Sequence, residues 1–226
     1  MSLVSRPQFW MLLVGVTASS IALLALGRTS ATPCAATPLQ TEGPFYPPPS
    51  QLMAQVDKDN DLTRLAGRAA HAKGQVIYIV GQVRDEACRP IEGAVVEIWQ
   101  AGASGRYSHP RDRNPAPLDP DFQFWGKTAT DSNGRYQFKT VIPGQYPAGP
   151  RWTRPSHIHF KVQRSGFREL TTQMYFEGDP YQDQDPIFLR VPAAERGRVI
   201  VRPETPPPGF EPDSRLCRFD LTLKGQ

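Results

Sequence analysis

The chain has 226 residues, of which 39% are hydrophobic and 21% charged, the profile of an ordinary soluble globular protein with room for one medium-sized domain or at most two small ones. The formal net charge of +4 is mild and its basic side chains are scattered, which excludes the clustered stripe of a nucleic-acid groove. Its 24 prolines, many in bursts such as YPPPS, NPAPLDP and RPETPPPGF, break up helices and favour short strands joined by long, stiff loops.

The chain opens with a short, weakly basic start, MSLVSRPQFW, followed by the apolar run MLLVGVTASSIALLALG and then small residues in RTSA. That order is the pattern of a signal peptide over residues 1–31, leaving 32–226 as the mature domain. The run also sits at the lower limit for a membrane span, so an uncleaved N-terminal anchor is the second reading. SRPQF resembles a twin-arginine signal, with Pro7 where the second arginine would stand. Export to the periplasm or the exterior is expected. An oxidising compartment permits a disulfide, and the three cysteines, Cys34, Cys88 and Cys217, then leave one thiol over. Their wide spacing argues against a zinc site. Cys34–Cys88 and Cys88–Cys217 can both be drawn.

After the leader, TEGPFYPPPS is extended and aromatic, and DKDNDLTRLAGRAAHAKG is polar and irregular. From Val76 the pattern turns to strands. QVIYIVGQVRD and AVVEIWQA are β-branched and aromatic runs separated by the hairpin-like signal EACRPIEG. GKTATDSNGRYQFKTV reads as a second hairpin about its DSNG turn. SHIHFKVQ, ELTTQMYFEG and LCRFDLTLKG supply further strands, and VPAAERGRV is the one short helix expected. The fold class is therefore all-β, a β-sandwich of mostly antiparallel strands with long Pro-rich loops. GQVRDEACRPIEGAVVEIWQ and TATDSNGRYQFKTVIPGQY resemble the transthyretin-like modules of secreted proteins, which implies a rival function: a non-catalytic binding module.

The chemistry concentrates downstream. In the strand HIHFKV, His157 and His159 share one face while Ile158 and Phe160 take the other. Two same-face imidazoles among apolar residues are costly unless something engages their nitrogens. Tyr107 lies in the polar loop ASGRYSHP, and Tyr146 follows a Pro-Gly turn in VIPGQYP. A phenol is neutral in water near neutral pH, but a highly charged cation favours the phenolate, a hard donor suited to Fe(III). Zinc would more commonly call for cysteine or carboxylate, so a zinc hydrolase on the same histidines is a third reading. His71 and His109 fit no ligand pattern and are read as surface residues.

Taken together, VEIWQAGASGRYSHPRDRNPAPLDPDF, TDSNGRYQF, PGQYP, RPSHIHFKV and TQMYFEGDP resemble the intradiol ring-cleavage dioxygenases, over nearly everything from TEGPFYP to RFDLTLKG. The iron-bearing subunits acting on protocatechuate are the most similar of that family. The resemblance implies a mononuclear, non-haem Fe(III) with Tyr107, Tyr146, His157 and His159 at the ligand positions. It implies a catechol-type substrate cleaved with O2 to a muconate-type dicarboxylic acid, with Tyr146 as a displaceable ligand that becomes a base. Arg154 matches an arginine facing the substrate, and Gln173 a glutamine close to the site. A homo-oligomer or a related partner subunit is also implied. Two departures are visible: the loop PAGPRWTRPS is short, and Ala148 replaces an aromatic residue, so ring specificity does not carry over.

Overall fold

The computed structural model describes residue 1, residues 33–55 and residues 57–226, and the leader or anchor expected over 1–31 lies outside the described residues but for Met1. Among the described residues no helix is long and apolar enough to cross a membrane. Strands dominate and helices are few, so the all-β expectation is met.

The first sheet gathers around a central ten-residue strand, β1 (Val76–Asp85), whose VIYIV start favours extended backbone. β1 runs antiparallel to β4 (Arg135–Val141) and parallel to β10 (Arg215–Arg218) and β11 (Leu221–Leu223). The second sheet has the order β3 (Trp125–Ala129), β2 (Val95–Trp99), β7 (His157–Gln163), β8 (Leu170–Phe176), β9 (Ile200–Val201), and only its last pair is parallel. A separate ribbon pairs β5 (Tyr146–Gly149) with β6 (Trp152–Arg154). The sheets are thus mixed. The parallel partners of β1 come from the far end of the chain, which the long connections required by parallel pairing allow.

Two expected hairpins are not formed. β3 lies in the second sheet and β4 in the first, so the DSNG turn carries the chain between sheets. Asp131 Oδ1 accepts the N–H of Asn133 at 2.9 Å and of Arg135 at 2.7 Å, while the Gly134 carbonyl accepts the N–H of Val83 at 2.8 Å. The turn is therefore fastened to β1 rather than closing a two-stranded ribbon. The segment EACRPIEG does the same between β1 and β2, with Ile91 N–H donating back to Val83 O at 2.9 Å. The cause is burial: Ile77, Ile79 and Phe138 from the first sheet share one core with Val96, Ile98, Ile158 and Phe160 from the second. Each such side chain, fully buried, contributes about 1.5–3 kcal/mol. A crossing at each turn lets both inward faces meet in that core.

The segment VPAAERGRV holds only a 3-10 turn, Ala193–Arg198, and the one α-helix among the described residues, Pro49–Ala54, begins inside the proline burst. Proline is tolerated in a first helical turn because its missing N–H has no partner there in any case. Cys34 pairs with Cys88, and Cys217 on β10 is a buried free thiol. Of the two pairings drawn from sequence, this selects the one that ties the N-terminal segment to the end of β1.

Candidate metal centre

β7 is buried on both faces. Ile158 and Phe160 enter the main core, whereas His157 and His159 point to the opposite side of the sheet, beside a second cluster that includes Trp99, Tyr107 and Tyr146. Sheet register builds most of this surface. His159 is paired with Trp99 on β2 and with Gln173 on β8, and His157 is paired with Tyr175. The Trp99 indole stacks on the His159 ring at 4.7 Å and 14°, fixing its plane.

The two tyrosines arrive on loops that meet backbone to backbone. Gly144 N–H donates to Gly102 O at 3.0 Å. A Cβ at Gly105 would lie 2.2 Å from Gln145 O, and one at Gly144 would lie 2.5 Å from Ala103 O, so only glycine permits this approach. Asp112 Oδ2 accepts the Tyr107 N–H at 2.7 Å and holds that loop turned inward.

The result is a closed circuit of four rings. Centroid separations are 5.6 Å for Tyr107–Tyr146, 5.7 Å for Tyr146–His157, 5.0 Å for His157–His159 and 6.4 Å for Tyr107–His159. Tyr107 is 3% exposed, Tyr146 7%, and both histidines 2%. Among the described residues, the Tyr107 hydroxyl, His157 Nε2 and His159 Nδ1 are buried without a hydrogen-bond partner. Each such group costs about 1–3 kcal/mol unless a ligand engages it. His157 Nδ1 lies 2.6 Å from the Pro155 carbonyl, which can only accept. The proton therefore sits on Nδ1, and Nε2 presents a lone pair to the site.

Electrostatics point the same way. Burial, followed by the Arg154 charge, holds both imidazoles well below the usual histidine range and so keeps them neutral. Burial pushes the Tyr107 phenol well up, with Tyr146 adding to it, and burial also raises Tyr146 against the opposing pull of Arg154. Both phenols stay protonated unless a strong positive charge enters between them. Among the described residues no group of three or more His, Cys, Asp and Glu side chains is arranged to hold a metal. Two neutral imidazoles with two phenols are nevertheless a donor set for a hard, highly charged cation, and the unpartnered atoms fit one.

The other expected residues lie close by. Arg154 stands opposite Tyr146 in the β5–β6 ribbon and is 3% exposed, so it is no surface arginine. Its Nη2 donates to Gln173 Oε1 at 2.6 Å, and Gln173 is fully buried. His71 is exposed, as expected. His109 is not simply a surface residue: it is half-buried and packs against Phe45 at 5.6 Å, because Phe45 also covers Tyr107 at 4.7 Å. Sequence reasoning missed Trp99, Tyr175, Gln40 and Asp185. Tyr175 carried a signal, standing two residues from Gln173 on the same strand face. Gln40, whose Oε1 faces the Tyr175 hydroxyl at 3.0 Å, comes from distant chain and carried none.

Comparison with known proteins identifies the family. A family model described as Dioxygenase matches residues 41–225. The chain is 43% identical over 177 residues to the protocatechuate 3,4-dioxygenase beta chain of Burkholderia cepacia, covering 74% of this chain and 72% of that one. It is 33% identical over 205 residues to the catechol 1,2-dioxygenase of Pseudomonas sp. (strain EST1001), covering 83% of this chain but only 63% of that one. Among solved structures, the dioxygenase domain of a dioxygenase carbohydrate-binding protein fusion from Streptomyces sp. SirexAA-E matches with TM-score 0.62 and 28% identity, covering 85% of this chain and 100% of that one. The 3-chlorocatechol 1,2-dioxygenase of Rhodococcus opacus 1CP shares the fold at TM-score 0.64 and 22% identity, covering 87% of this chain and 75% of that one. With a family model matched from residue 41 to 225, the chain belongs to the intradiol ring-cleavage dioxygenases.

Proposed function

We propose that the chain is an exported, iron-dependent intradiol dioxygenase, its two sheets packed as a sandwich, that opens a catechol-type ring between the two hydroxylated carbons. Both atoms of O2 enter a muconate-type dicarboxylic acid, so no external reductant is needed. The observation that carries the reading is the closed circuit of two phenols and two imidazoles with unpartnered buried donor atoms. Tyr107, Tyr146, His157 and His159 are the residues that would hold the metal. Ferric iron bound there would act as a Lewis acid that draws both catechol oxygens in as anions.

The chain's own groups then divide the remaining work. With iron bound, Tyr146 would be the donor that gives way to substrate and whose phenolate would take a substrate proton. Its raised affinity for that proton suits the role. Arg154 offers a charge beside Tyr146, where negative charge builds on the ring during oxygen attack. Gln173 holds the guanidinium, and its own amide is oriented by donation to Thr41 O at 2.9 Å. Phe45 and Trp99 wall the site with apolar surface and limit water.

The Cys34–Cys88 disulfide supports an oxidising compartment and hence the leader over residues 1–31. The rival reading, a silent binding module, gives no reason for burying four donor rings together. Oxygen uptake with catechol, protocatechuate and hydroxyquinol tests the proposal. Uptake with at least one of them, and one ring-opened dicarboxylate formed per O2, is expected. No uptake from iron-loaded protein with a wider catechol panel would overturn it.

A further inference from the structure

One buried carboxylate has no part in the reaction described so far. Asp185 lies between the short turns Gln182–Gln184 and Phe188–Arg190, and it is 0% exposed. A carboxylate so buried must be held by donors, or its charge would be prohibitive. Asp185 Oδ1 accepts the indole N–H of Trp152 at 3.0 Å and lies 3.3 Å from Arg154 Nε, an ion-pair contact outside hydrogen-bonding alignment. Its Oδ2 accepts the backbone N–H of Phe188 at 3.1 Å. Trp152 and Arg154 are two residues apart on β6, so strand alternation turns both side chains to this one carboxylate.

Arg154 is thereby gripped from two directions. Nε faces the Asp185 carboxylate and Nη2 donates to Gln173 Oε1. The Gln173 end is itself braced, because the Tyr175 hydroxyl lies 3.1 Å from the same Oε1. An arginine held by one hydrogen bond can swing about its long stem, whereas one that also has a buried carboxylate charge against its Nε edge is confined to a narrower range of orientations. The charge is also balanced locally, since guanidinium and carboxylate neutralise each other beside the four rings.

We propose that Asp185 is a positioning residue for ring cleavage: its charge holds the Arg154 guanidinium in place and sets how much of that charge the substrate meets. This rests on the ring-cleavage reading above. It goes beyond a capping role for the turn at Phe188, because a cap would act on stability without passing through Arg154.

The test is a double-mutant cycle on the full, iron-loaded chain: Asp185→Asn, Arg154→Gln and both together, with kcat, KM, iron content and visible colour recorded for each. Asp185→Asn should keep iron and colour, leave KM within a few-fold and lower kcat by roughly the 10- to 100-fold typical of losing an orienting partner. In the Arg154→Gln background the same change should cost nothing further. Losses that multiply, or an Asp185→Asn enzyme with undiminished kcat, would overturn the proposal. Should Asp185→Asn not fold, Asp185→Glu retains the charge but displaces it, and its loss in kcat must likewise vanish on Arg154→Gln. An inactive wild-type protein would instead sink the ring-cleavage reading; the cycle is then read in catechol affinity by calorimetry, where coupling between positions 185 and 154 is expected and independence refutes the inference.

Discussion

The two faces of β7 solve opposite problems with one run of sequence. Ile158 and Phe160 point into the shared core, are 0% exposed, and are satisfied by contact alone. His157 and His159, on the other face, are just as dry at 2% exposed, yet among the described residues a nitrogen of each has no partner. Apolar burial is complete in the folded chain, whereas the polar burial opposite leaves donor atoms unengaged among the described residues, as the proposed metal requires. The teaching is that stability and function divide here by strand face, at a spacing of one residue.

Substitutions should separate the faces. Tyr107→Phe or His159→Ala removes a donor atom and should lower iron affinity by more than the roughly 10- to 100-fold of an outer partner, abolishing turnover while the chain stays folded. Both variants retaining iron and activity would erase the distinction. Phe160→Ala on the opposite face should cost about 3–5 kcal/mol in denaturant unfolding, yet leave iron per folded molecule unchanged. Arg154→Gln should keep iron and colour and lose on the order of 10²–10³-fold in turnover, with Arg154→Lys recovering only part because the planar fork is gone. Full turnover in Arg154→Gln would make this arginine structural.

How much of this was legible in the sequence follows from the same geometry. Local periodicity gives β1, β2 and β7 and puts the histidines on one face, because alternation is a property of a single strand. Grouping His157 and His159 with Tyr107 and Tyr146 rests instead on the resemblance to the intradiol dioxygenases, since Tyr107 lies far from the histidines in the chain. The DSNG segment reads as a hairpin because turn chemistry is local, while the choice of sheet on its far side depends on where Phe138 finds a core. Asp185 and Gln40 were invisible for the same reason. Nothing near either residue signals burial, and their partners Arg154 and Tyr175 lie elsewhere in the chain.

Smaller effects sharpen the comparison further. In metal-free protein both histidines have folded pKa values below the ordinary value of about 6.5. The unfolded chain therefore binds more protons as pH drops beneath that value, and stability is lost as pH falls from about 6.5 towards the depressed folded pKa values, by at most about 1.4 kcal/mol per pH unit for each ring. Urea midpoints should show this slope, and it should be shallower in a His157→Gln, His159→Gln double variant; equal slopes would contradict it. The smallest effect concerns Cys217, whose thiol burial pushes up to about 12. Native protein should show no thiol reactive to an alkylating reagent at neutral pH, and denatured, unreduced protein one. Rapid labelling of the native chain would mean that β10 is more open than described.

The central claim is that two phenols and two imidazoles are turned together to bind ferric iron. The visible absorption spectrum of the full chain purified from iron-replete cells, read beside its metal content, tests it most directly. About one iron per chain is expected, with a red to burgundy phenolate-to-iron charge-transfer band that is lost in Tyr107→Phe. A colourless protein that carries zinc or no metal at all would contradict it.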